Sequence, residues 1–434
     1  MRRFYKYVYA TDSQENVKLM NVSVAHLNRL AISLLIILQQ CTNLLPDNFV
    51  VTGRYILSAI IFIIAIYLYD WTFVSLGFAI WIALFFVLCA ATLFYTVDRG
   101  ATMVVIRRLP HTYLVAFVLS QSIRTMKDFT WALKSLMWGG LIYCSLIALF
   151  QGIGNIIENG INLGLTGGSI MLYTYVSIPT VLLCAFFLFT KENNKLYLPL
   201  TILAFFLNIL SERRKSVLLP LIFIILFVFL KDGFNRKVML RKIFRVTVAL
   251  GVAALFIFIS IRNATLHQIF GYRLQQLFLS FAGEENVSGS LDTRYLLRGI
   301  GMEYLKNNNP LTGVGLGNFR TLNRWDLHAH NNYLELLCTA GLAATICFYS
   351  IYVVLVKGML ANLSGKYEIL FISMFVTNLI GDYSTTTYTR FFVVIYFTLG
   401  VCYLSIRDKE NKAVPVVDHS AKSTGKGANA LASP

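Results

Sequence analysis

Apolar runs, each near 20 residues long, recur through most of this sequence. A helix needs about 20 predominantly apolar residues to cross the hydrocarbon core of a bilayer. With 57% hydrophobic and 14% charged residues, the chain is not an ordinary soluble protein. The sequence therefore predicts an all-α polytopic membrane protein with about 12 transmembrane helices. We place the spans at about residues 24–42, 49–69, 71–96, 102–122, 132–152, 168–190, 196–210, 216–230, 243–261, 332–356, 367–381 and 390–406.

The distribution of basic residues predicts how these spans are oriented. Lys and Arg concentrate in cytoplasmic loops, and a basic segment follows the eighth span, whereas the loops after the first and fifth spans carry neither residue. Both termini are therefore expected inside, with 1–23 as a cytoplasmic lead-in and 407–434 as a disordered cytoplasmic tail. The membrane domain then covers 24–406 and includes one long outer loop, 262–331, containing short helices.

Two outer segments carry positive charge that the topology does not require. The tight connection SERRKS contains Arg213, Arg214 and Lys215, and the long loop contains Arg294 and Arg298, which share a helix face. Guanidinium groups bind phosphate oxygens bidentately, so an anionic ligand at the outer face is the simplest requirement. The alternative for the loop pair is snorkelling at the membrane surface. Because membrane topology also accounts for basic residues, the net charge of +17 does not indicate a nucleic-acid partner.

Two histidines stand just before the tenth span, in the stretch HAHNNYLE. An imidazole with an ordinary pKa near 6.5 accepts a proton from a hydroxyl at neutral pH, which makes His330 a candidate general base. The alternative is that His328 and His330 are hydrogen-bonding loop residues. Asn332 followed by Glu335 resembles a capping box, which places His330 just outside the helix.

Three further features bear on the chemistry of the chain. The stretch PLTGVGLGNF does not follow a predicted strand and lacks the spacing of a dinucleotide-binding loop, so it predicts a turn. Asp382 ends the eleventh span, and it either faces the same site or pairs with Arg390. The seven cysteines show no spacing typical of a disulfide framework or a zinc site.

The combination of Arg294, NPLTGVGLGNF and HAHNNYLE is similar to the signature of the O-antigen ligase and polymerase superfamily. Its members are bacterial membrane glycosyltransferases of the GT-C type. The resemblance implies transfer of a glycan from undecaprenyl diphosphate to a hydroxyl of another glycan or of a lipid-core sugar. The implied place is the outer face of the bacterial cytoplasmic membrane, with no cofactor and no essential metal. The implied partners are the lipid-linked donor, the acceptor and membrane lipids.

The same resemblance assigns roles to individual residues. The catalytic residues would be His330, Arg294 and Arg214, the last from the match of SERRKS to the family's serine–arginine motif. Arg213 is the alternative match, because it replaces the second serine of that motif. Substrate-binding roles are expected for Arg213, Lys215, Arg298, His328, Asn331 and Asp382.

A polymerase is favoured over a ligase, because the outer face holds more arginines than one diphosphate needs. A ligase that transfers the glycan to a lipid-A core sugar is the alternative with the same donor. The alternative of another class is a transporter or flippase of lipid-linked glycans. A transporter is expected to place ionisable residues along a central cavity, whereas the candidate residues here gather at one face.

Overall fold

The computed structural model describes residues 18–19, 22–42, 44–69, 72–152, 154–156, 170–190, 194–211, 213–231, 289–363 and 365–413, with isolated positions between 240 and 275. Apart from a pair of two-residue antiparallel strands, β1 (Lys18–Leu19) and β2 (Val22–Ser23), the regular elements of these ranges are helices. The α-helices are α1 (Val24–Gln40), α2 (Asp47–Tyr69), α3 (Leu76–Ala91), α4 (Arg99–Ser122), α5 (Met126–Gln151), α6 (Ile170–Phe189), α7 (Asn194–Ile209), α8 (Arg214–Leu230), α9 (Gly289–Asn307), α10 (Asn332–Thr339), α11 (Gly341–Leu360), α12 (Lys366–Asp382) and α13 (Phe391–Ala413). Two 3-10 helices cover Thr92–Phe94 and Asn318–Leu322.

Seven of the described helices are long and apolar enough to cross a membrane, and they belong to α2, α3, α4, α5, α6, α11 and α13. Helices α1, α7 and α8 are shorter but also apolar. The predicted class, an all-helical membrane protein, is therefore confirmed, while the number of about 12 spans stays a prediction. The predicted ninth span, most of the predicted outer loop before α9 and most of the N-terminal segment lie outside the described residues.

Side-chain caps fix where several of these helices begin. The carboxylate of Asp98 accepts hydrogen bonds from the backbone N–H groups of Gly100 (2.8 Å) and Ala101 (3.1 Å) at the start of α4. The hydroxyl of Thr125 accepts one from the N–H of Asp128 (3.1 Å) at the start of α5. These bonds satisfy N–H groups that have no partner within the helix, so the chain turns sharply between α4 and α5.

A stack of aromatic rings joins α3 to α11. The ring of Trp81 stacks on Phe78 and Phe85, with centroid distances of 5.7 and 6.1 Å. Its indole N–H donates a 2.7 Å hydrogen bond to the carbonyl oxygen of Cys347. A buried tryptophan needs such a partner for its N–H, and here the partner is the backbone of the helix that follows the histidine segment.

The predicted tenth span, 332–356, is not one helix. It is divided into α10 and α11 at Gly341, which has a φ of +81°. The N–H of Leu342 donates to the carbonyl oxygen of Pro310 (2.9 Å), and a Cβ atom at 341 would run into the backbone of Leu311. The apolar run is continuous, but the loop before it packs into this break, and only glycine leaves room for that contact.

The last helix extends beyond its predicted end. Helix α13 continues through residues 407–413, which the sequence analysis assigns to a disordered tail. Arg407 donates hydrogen bonds to the carbonyl oxygen of Gly358 (3.2 Å) and to the carboxylate of Glu368 (3.3 Å). These contacts with α11 and α12 stabilise the extra turns, and they come from residues distant in the sequence. Residues from 414 onward lie outside the described part.

The glycine-rich stretch is a turn, as predicted, and it fastens the loop between α9 and α10 to the rest of the bundle. Gly313, Gly315 and Gly317 have φ values of +70°, +101° and +80°. The N–H of Gly315 donates to the carbonyl oxygen of Thr339 (2.9 Å). Next to it, the buried amide of Asn318 donates to the 96–102 segment that starts α4. The loop that carries the histidines is thereby fixed to two helices.

Candidate active site

The histidine segment ends at the N-terminus of α10, where Asn331 is the capping residue. Its side-chain oxygen accepts a 3.1 Å hydrogen bond from the N–H of Leu334. The predicted capping box, with Asn332 as the cap and Glu335 as its partner, is therefore wrong by one residue. Both of those side chains are buried in other contacts, which sequence spacing does not reveal.

Asn332 joins α10 to the turn between α12 and α13. Its side-chain oxygen accepts hydrogen bonds from the N–H groups of Thr387 (2.8 Å) and Tyr388 (3.1 Å). Its amide N–H₂ donates to the hydroxyl of Tyr349 (2.8 Å) and lies 3.4 Å from the carboxylate of Asp382. Asp382 also accepts bonds from Thr387 (2.6 Å) and Tyr349 (3.0 Å). This buried polar network sets the position of the carboxylate relative to the histidine segment.

Glu335 holds the backbone between the two histidines. Its carboxylate, fully buried, accepts a 2.8 Å hydrogen bond from the N–H of Ala329 and lies 3.3 Å from Nδ1 of His328. Nε2 of His328 lies 2.9 Å from a guanidinium nitrogen of Arg320, which can only donate. His328 is therefore the neutral tautomer with its proton on Nδ1, and both of its ring nitrogens are occupied.

His330 is arranged differently. Its backbone has a φ of +50°, a left-handed conformation that is uncommon for a residue with a side chain. The ring is half-buried, and in the part of the chain that the structure describes it makes no hydrogen bond. Burial, followed by the positive charges of Arg294 and Arg213, lowers the pKa of His330 to about 4, against an opposing effect of Glu335. At neutral pH the imidazole is uncharged and has a lone pair available.

The SERRKS turn brings further positive charge to the same end of the bundle. Arg213 is the residue that precedes α8, and the hydroxyls of Ser211 and Ser216 hydrogen-bond across the turn. The amide of Asn208 donates to the backbone of Ser216 and so fixes the turn to α7. The side chain of Arg214 and the whole of Glu212 lie outside the described part of the chain.

Lys215, on the first turn of α8, lines a cavity. The same cavity is lined by Asp382, at the end of α12, and by Tyr175 on α6. The ammonium of Lys215 lies 4.5 Å from the centroid of the Tyr175 ring, and the guanidinium of Arg390 lies 5.3 Å from it. The cations therefore gather around Lys215, which lies within electrostatic range of Arg213, Arg294 and Arg390 as well as of Asp382.

Helix α9 carries the two loop arginines, and the structure gives them different surroundings. Arg294 lies within electrostatic range of both His330 and Lys215. Arg298 donates to the hydroxyl (3.1 Å) and to the carbonyl oxygen (3.2 Å) of Tyr383, and its guanidinium lies 4.0 Å from the centroid of that ring. Arg298 therefore connects α9 to the end of α12.

The predicted site residues thus fall into two groups. The structure brings together Arg213, Lys215, Arg294, His330 and Asp382 at one end of the bundle. His328, Asn331 and Arg298 adjoin this group, but each uses its polar atoms on protein partners. The hydrogen bonds that Asp382 accepts come from Tyr349 and Thr387, so its surroundings are a polar network rather than a simple pair with Arg390.

Sequence reasoning missed several residues that build the site. The sequence pattern predicts a helix-cap role for Asn332 and Glu335, and it indicates no role for Tyr175, Tyr349 and Thr387. Their spacing along the chain gives no sign of a shared site, because they come from α6, α10, α11 and the turn before α13. The cluster of threonines and tyrosines between the last two predicted spans, STTTYT, was the one signal available.

The fold and the site together define a polytopic helical membrane protein with a cationic site around one uncharged histidine. Comparison with known families identifies its kind more closely. Residues 199–349 match the family model described as O-antigen ligase. Over these residues the match supports the predicted resemblance to the O-antigen ligase and polymerase superfamily, whose members are membrane glycosyltransferase-like enzymes. The comparison with curated proteins gives no match.

The matched segment runs from α7 to the middle of α11. It contains the SERRKS turn, the α9 arginines and both histidines, but neither Asp382 nor the helices before α7. The family match and the geometry therefore coincide on His330, Arg294 and the turn before α8. Asp382 joins them only through the tertiary structure.

Proposed function

We propose that this protein is a surface polysaccharide (O-antigen) polymerase. In this proposal it transfers a glycan from an undecaprenyl-diphosphate-linked donor to a hydroxyl of another lipid-linked glycan. The reaction takes place at the outer face of the cytoplasmic membrane of a bacterium, in a fold of about 12 spans. The observation that carries the proposal is the uncharged imidazole of His330 beside the guanidinium groups of Arg294 and Arg213.

The chemistry follows from this juxtaposition. The acceptor oxygen attacks the anomeric carbon of the donor sugar, the bond from that carbon to the diphosphate oxygen breaks, and the hydroxyl proton passes to the free ring nitrogen of His330. A general base of this kind typically contributes about 10²–10⁴-fold to the rate. The diphosphate leaves as an anion, so that it needs charge stabilisation rather than a proton.

Positive charge at the site stabilises the diphosphate leaving group. Arg294 and the motif arginine, Arg214 or its alternative Arg213, are proposed to bind the diphosphate oxygens, with Lys215 beside them. Fixed cations in a partly buried site stabilise developing negative charge more strongly than water does. Asp382 is proposed to orient the sugar or the acceptor from the cavity wall, and the apolar grooves between helices hold the polyprenyl chain.

Donor binding is also expected to raise the pKa of the base. In the free protein, burial and then neighbouring positive charges hold the pKa of His330 near 4. A diphosphate placed between Arg294 and His330 offsets this repulsion, so the pKa of the imidazole rises towards the working pH. A base is most effective when its pKa lies near that pH. Proton acceptance is thereby coupled to occupancy by the donor.

A ligase is the second candidate, and the description of the matching family favours considering it. Ligase and polymerase share the donor, the base and the diphosphate site, and they differ in the acceptor. The polymerase must bind a second lipid-diphosphate glycan. The grouping of Arg213, Arg294 and Arg390 around Lys215, with Asp382 as the carboxylate beside them, supplies more positive charge than one diphosphate requires. A flippase, the candidate of another class, does not need a base at all.

The test uses purified protein and one short glycan repeat unit on undecaprenyl diphosphate, with no other acceptor. A polymerase converts it to a ladder of longer lipid-linked chains. A substrate that is consumed only after a lipid-core acceptor is added identifies a ligase and overturns the polymerase proposal. Absence of product under both conditions, with transfer of the intact lipid across proteoliposomes, indicates a flippase. The His330→Gln variant is the control, since it retains the fold but loses the base.

A further inference from the structure

A second cluster of positive charge lies on the surface of α2 and α4, away from the histidine segment. It consists of Arg54 on α2 and Arg107 and Arg108 on α4, with Tyr55 and His111 between them. The hydroxyl of Tyr55 lies 2.6 Å from Nδ1 of His111, and their rings lie 5.4 Å apart. We call these five residues the α2–α4 cluster. It lies outside the segment that matches the family model.

The members share one exposed surface. On α4, Arg107 and Arg108 precede His111 by four and three residues, so all three lie on one helix face. Both arginines are exposed, and His111 is half-buried against α2. Arg54 lies within electrostatic range of His111 from the neighbouring helix. Arg54 therefore adjoins the histidine–tyrosine pair, and Arg107 and Arg108 lie on the helix face that carries His111.

None of the three arginines has a protein partner within the described ranges. Arg54, Arg107 and Arg108 make no hydrogen bond or ion pair there, and the buried Nε of Arg54 is left unsatisfied. Two other helix arginines have carboxylate partners: Arg29 lies 2.8 Å from Asp128, and Arg407, whose Nε is likewise unsatisfied, lies 3.3 Å from Glu368. A buried N–H without an acceptor is costly, so the cluster lacks an anion that the described chain does not supply.

The residues around the α2–α4 cluster indicate that this surface faces lipid. Apolar side chains of both helices are exposed: Val104 and Leu114 lie on the face of α4 that carries the arginines, and Ile56 and Ile60 lie on other faces of α2. Both helices are long and apolar enough to span a membrane, so these exposed residues contact lipid. Cationic side chains at such positions are expensive and mark sites where a partner is bound.

The level of the cluster along the bundle is given by its neighbours on α4. The hydroxyl of Tyr113 donates to the carbonyl oxygen of Tyr388 (2.9 Å), and that of Thr112 to the carbonyl oxygen of Thr389 (3.3 Å). These carbonyls belong to the turn between α12 and α13, at the end of the bundle that holds the candidate active site. The cluster therefore lies in the half of the bundle that holds the candidate active site, from which long arginine side chains reach lipid phosphates at that surface.

We propose that the α2–α4 cluster binds the phosphate group of a membrane lipid from the side of the protein. Guanidinium forks suit tetrahedral phosphate oxygens, and the three arginines offer such forks on two helices that pack together. The lipid chains lie along the exposed apolar faces of α2 and α4. Two lipids carry this chemistry: an anionic phospholipid and a polyprenyl diphosphate. The site does not depend on the proposed glycan transfer.

Native mass spectrometry of the purified full-length protein tests the site, with phosphatidylglycerol and undecaprenyl diphosphate added separately. The variant is Arg54→Gln/Arg107→Gln/Arg108→Gln. The matched control, Lys357→Gln/Lys409→Gln/Lys412→Gln, removes the same charge from exposed positions at the other end of the bundle. We expect the arginine variant to bind one copy fewer of at least one lipid, with affinity reduced about tenfold or more, and the control to bind as wild type does.

The pattern of loss identifies the ligand. Loss of a phosphatidylglycerol copy assigns the site to a phospholipid, and loss of an undecaprenyl diphosphate copy assigns it to the carrier lipid. Binding of both lipids equal to wild type overturns the proposal and leaves only snorkelling arginines. If the triple variant does not fold, the single variant Arg107→Gln, at an exposed position, replaces it with the same expectation. The Arg107→Lys variant is expected to bind with intermediate affinity, because an ammonium keeps the charge but not the fork.

Discussion

The carboxylate of Glu335 accepts a 2.8 Å hydrogen bond from the backbone N–H of Ala329, the residue between the two histidines. The acid lies on the first turn of α10, yet it reaches back beyond the capping residue. Because Glu335 is fully buried, this contact fixes the backbone that carries His330 at a φ of +50°. The position of the proposed base therefore depends on a residue that does not contact substrate.

We expect Glu335→Ala to lower kcat by about 10²-fold. Loss of the hydrogen bond to Ala329 allows the imidazole of His330 to move, and a displacement of about 1 Å is enough for such a loss. Glu335→Gln is expected to retain much of the activity, since its amide oxygen still accepts from the Ala329 N–H. The exposed acid Glu303 on α9 provides the control, and Glu303→Ala is expected to behave as wild type. The measurement is kcat and KM for the lipid donor. Equal losses in the Ala and Gln variants would contradict the positioning role.

The titration of His330 provides a second prediction. Its pKa of about 4 reflects burial and then the charge of Arg294. Removing that cation in Arg294→Gln reduces the repulsion felt by the imidazolium, so the pKa rises. Inorganic pyrophosphate added to the wild type is expected to raise it in the same direction. Arg324→Gln, which removes an exposed charge that does not act on His330, is expected to leave it unchanged.

NMR of histidine-labelled protein measures this pKa directly. The chain has six histidines, and comparison with His330→Gln assigns the signal. A pKa near 6.5 in the wild type, unmoved by pyrophosphate, would contradict both the proposed electrostatics and the coupling to donor.

The two histidines are expected to differ in activity. His330→Ala removes the proposed base and is expected to lower the rate about 10²–10⁴-fold. His328→Ala is expected to be milder, since both ring nitrogens of His328 are engaged by Glu335 and Arg320. Arg294→Lys is expected to restore activity only in part, because an ammonium cannot reproduce the bidentate fork. Rates of donor consumption by protein of equal thermal stability provide the comparison, and equal rates for the two histidine variants would count against the assignment.

Gly341 allows a prediction about stability alone. Alanine at this position would occupy a φ of +81° and clash with the backbone of Leu311. We expect Gly341→Ala to lower the free energy of unfolding by about 1–3 kcal/mol or more. A Cβ atom added at Gly299, within α9, would meet no other atom within 4 Å, so Gly299→Ala is the matched control. Thermal unfolding in detergent compares the two, and identical transitions would show that the break does not require glycine.

The proposed orientation in the membrane is tested by cysteine labelling in intact cells. Labelling requires exposed positions, so a fully buried residue of the same loop, such as Leu316, is not a suitable probe. A cysteine at Glu303 is expected to react with a membrane-impermeant maleimide before lysis, and one at Glu410 only after lysis. Both side chains are exposed in the structure, and the seven native cysteines are buried. The opposite pattern would place the candidate active site in the cytoplasm.

Several features of this protein follow from the sequence alone. Apolar runs of bilayer length specify membrane-spanning helices, because backbone polar groups in lipid must be satisfied within the segment. The glycines of PLTGVGLGNF specify a turn, since their left-handed backbone is accessible to few other residues. The HAHNNYLE stretch together with Arg294 indicates the family resemblance, because that signature lies within one segment of the chain.

The tertiary structure decided what the side chains of this signature do. Both residues of the predicted capping box form buried hydrogen bonds elsewhere. Glu335 accepts one from Ala329, and Asn332 accepts one from Thr387 in the turn before α13. Burying these polar groups is favourable only when partners are present, and their partners lie up to 56 residues away in the chain. Local spacing carries no information about such partners. The different surroundings of His328 and His330 therefore depend on how the helices pack together.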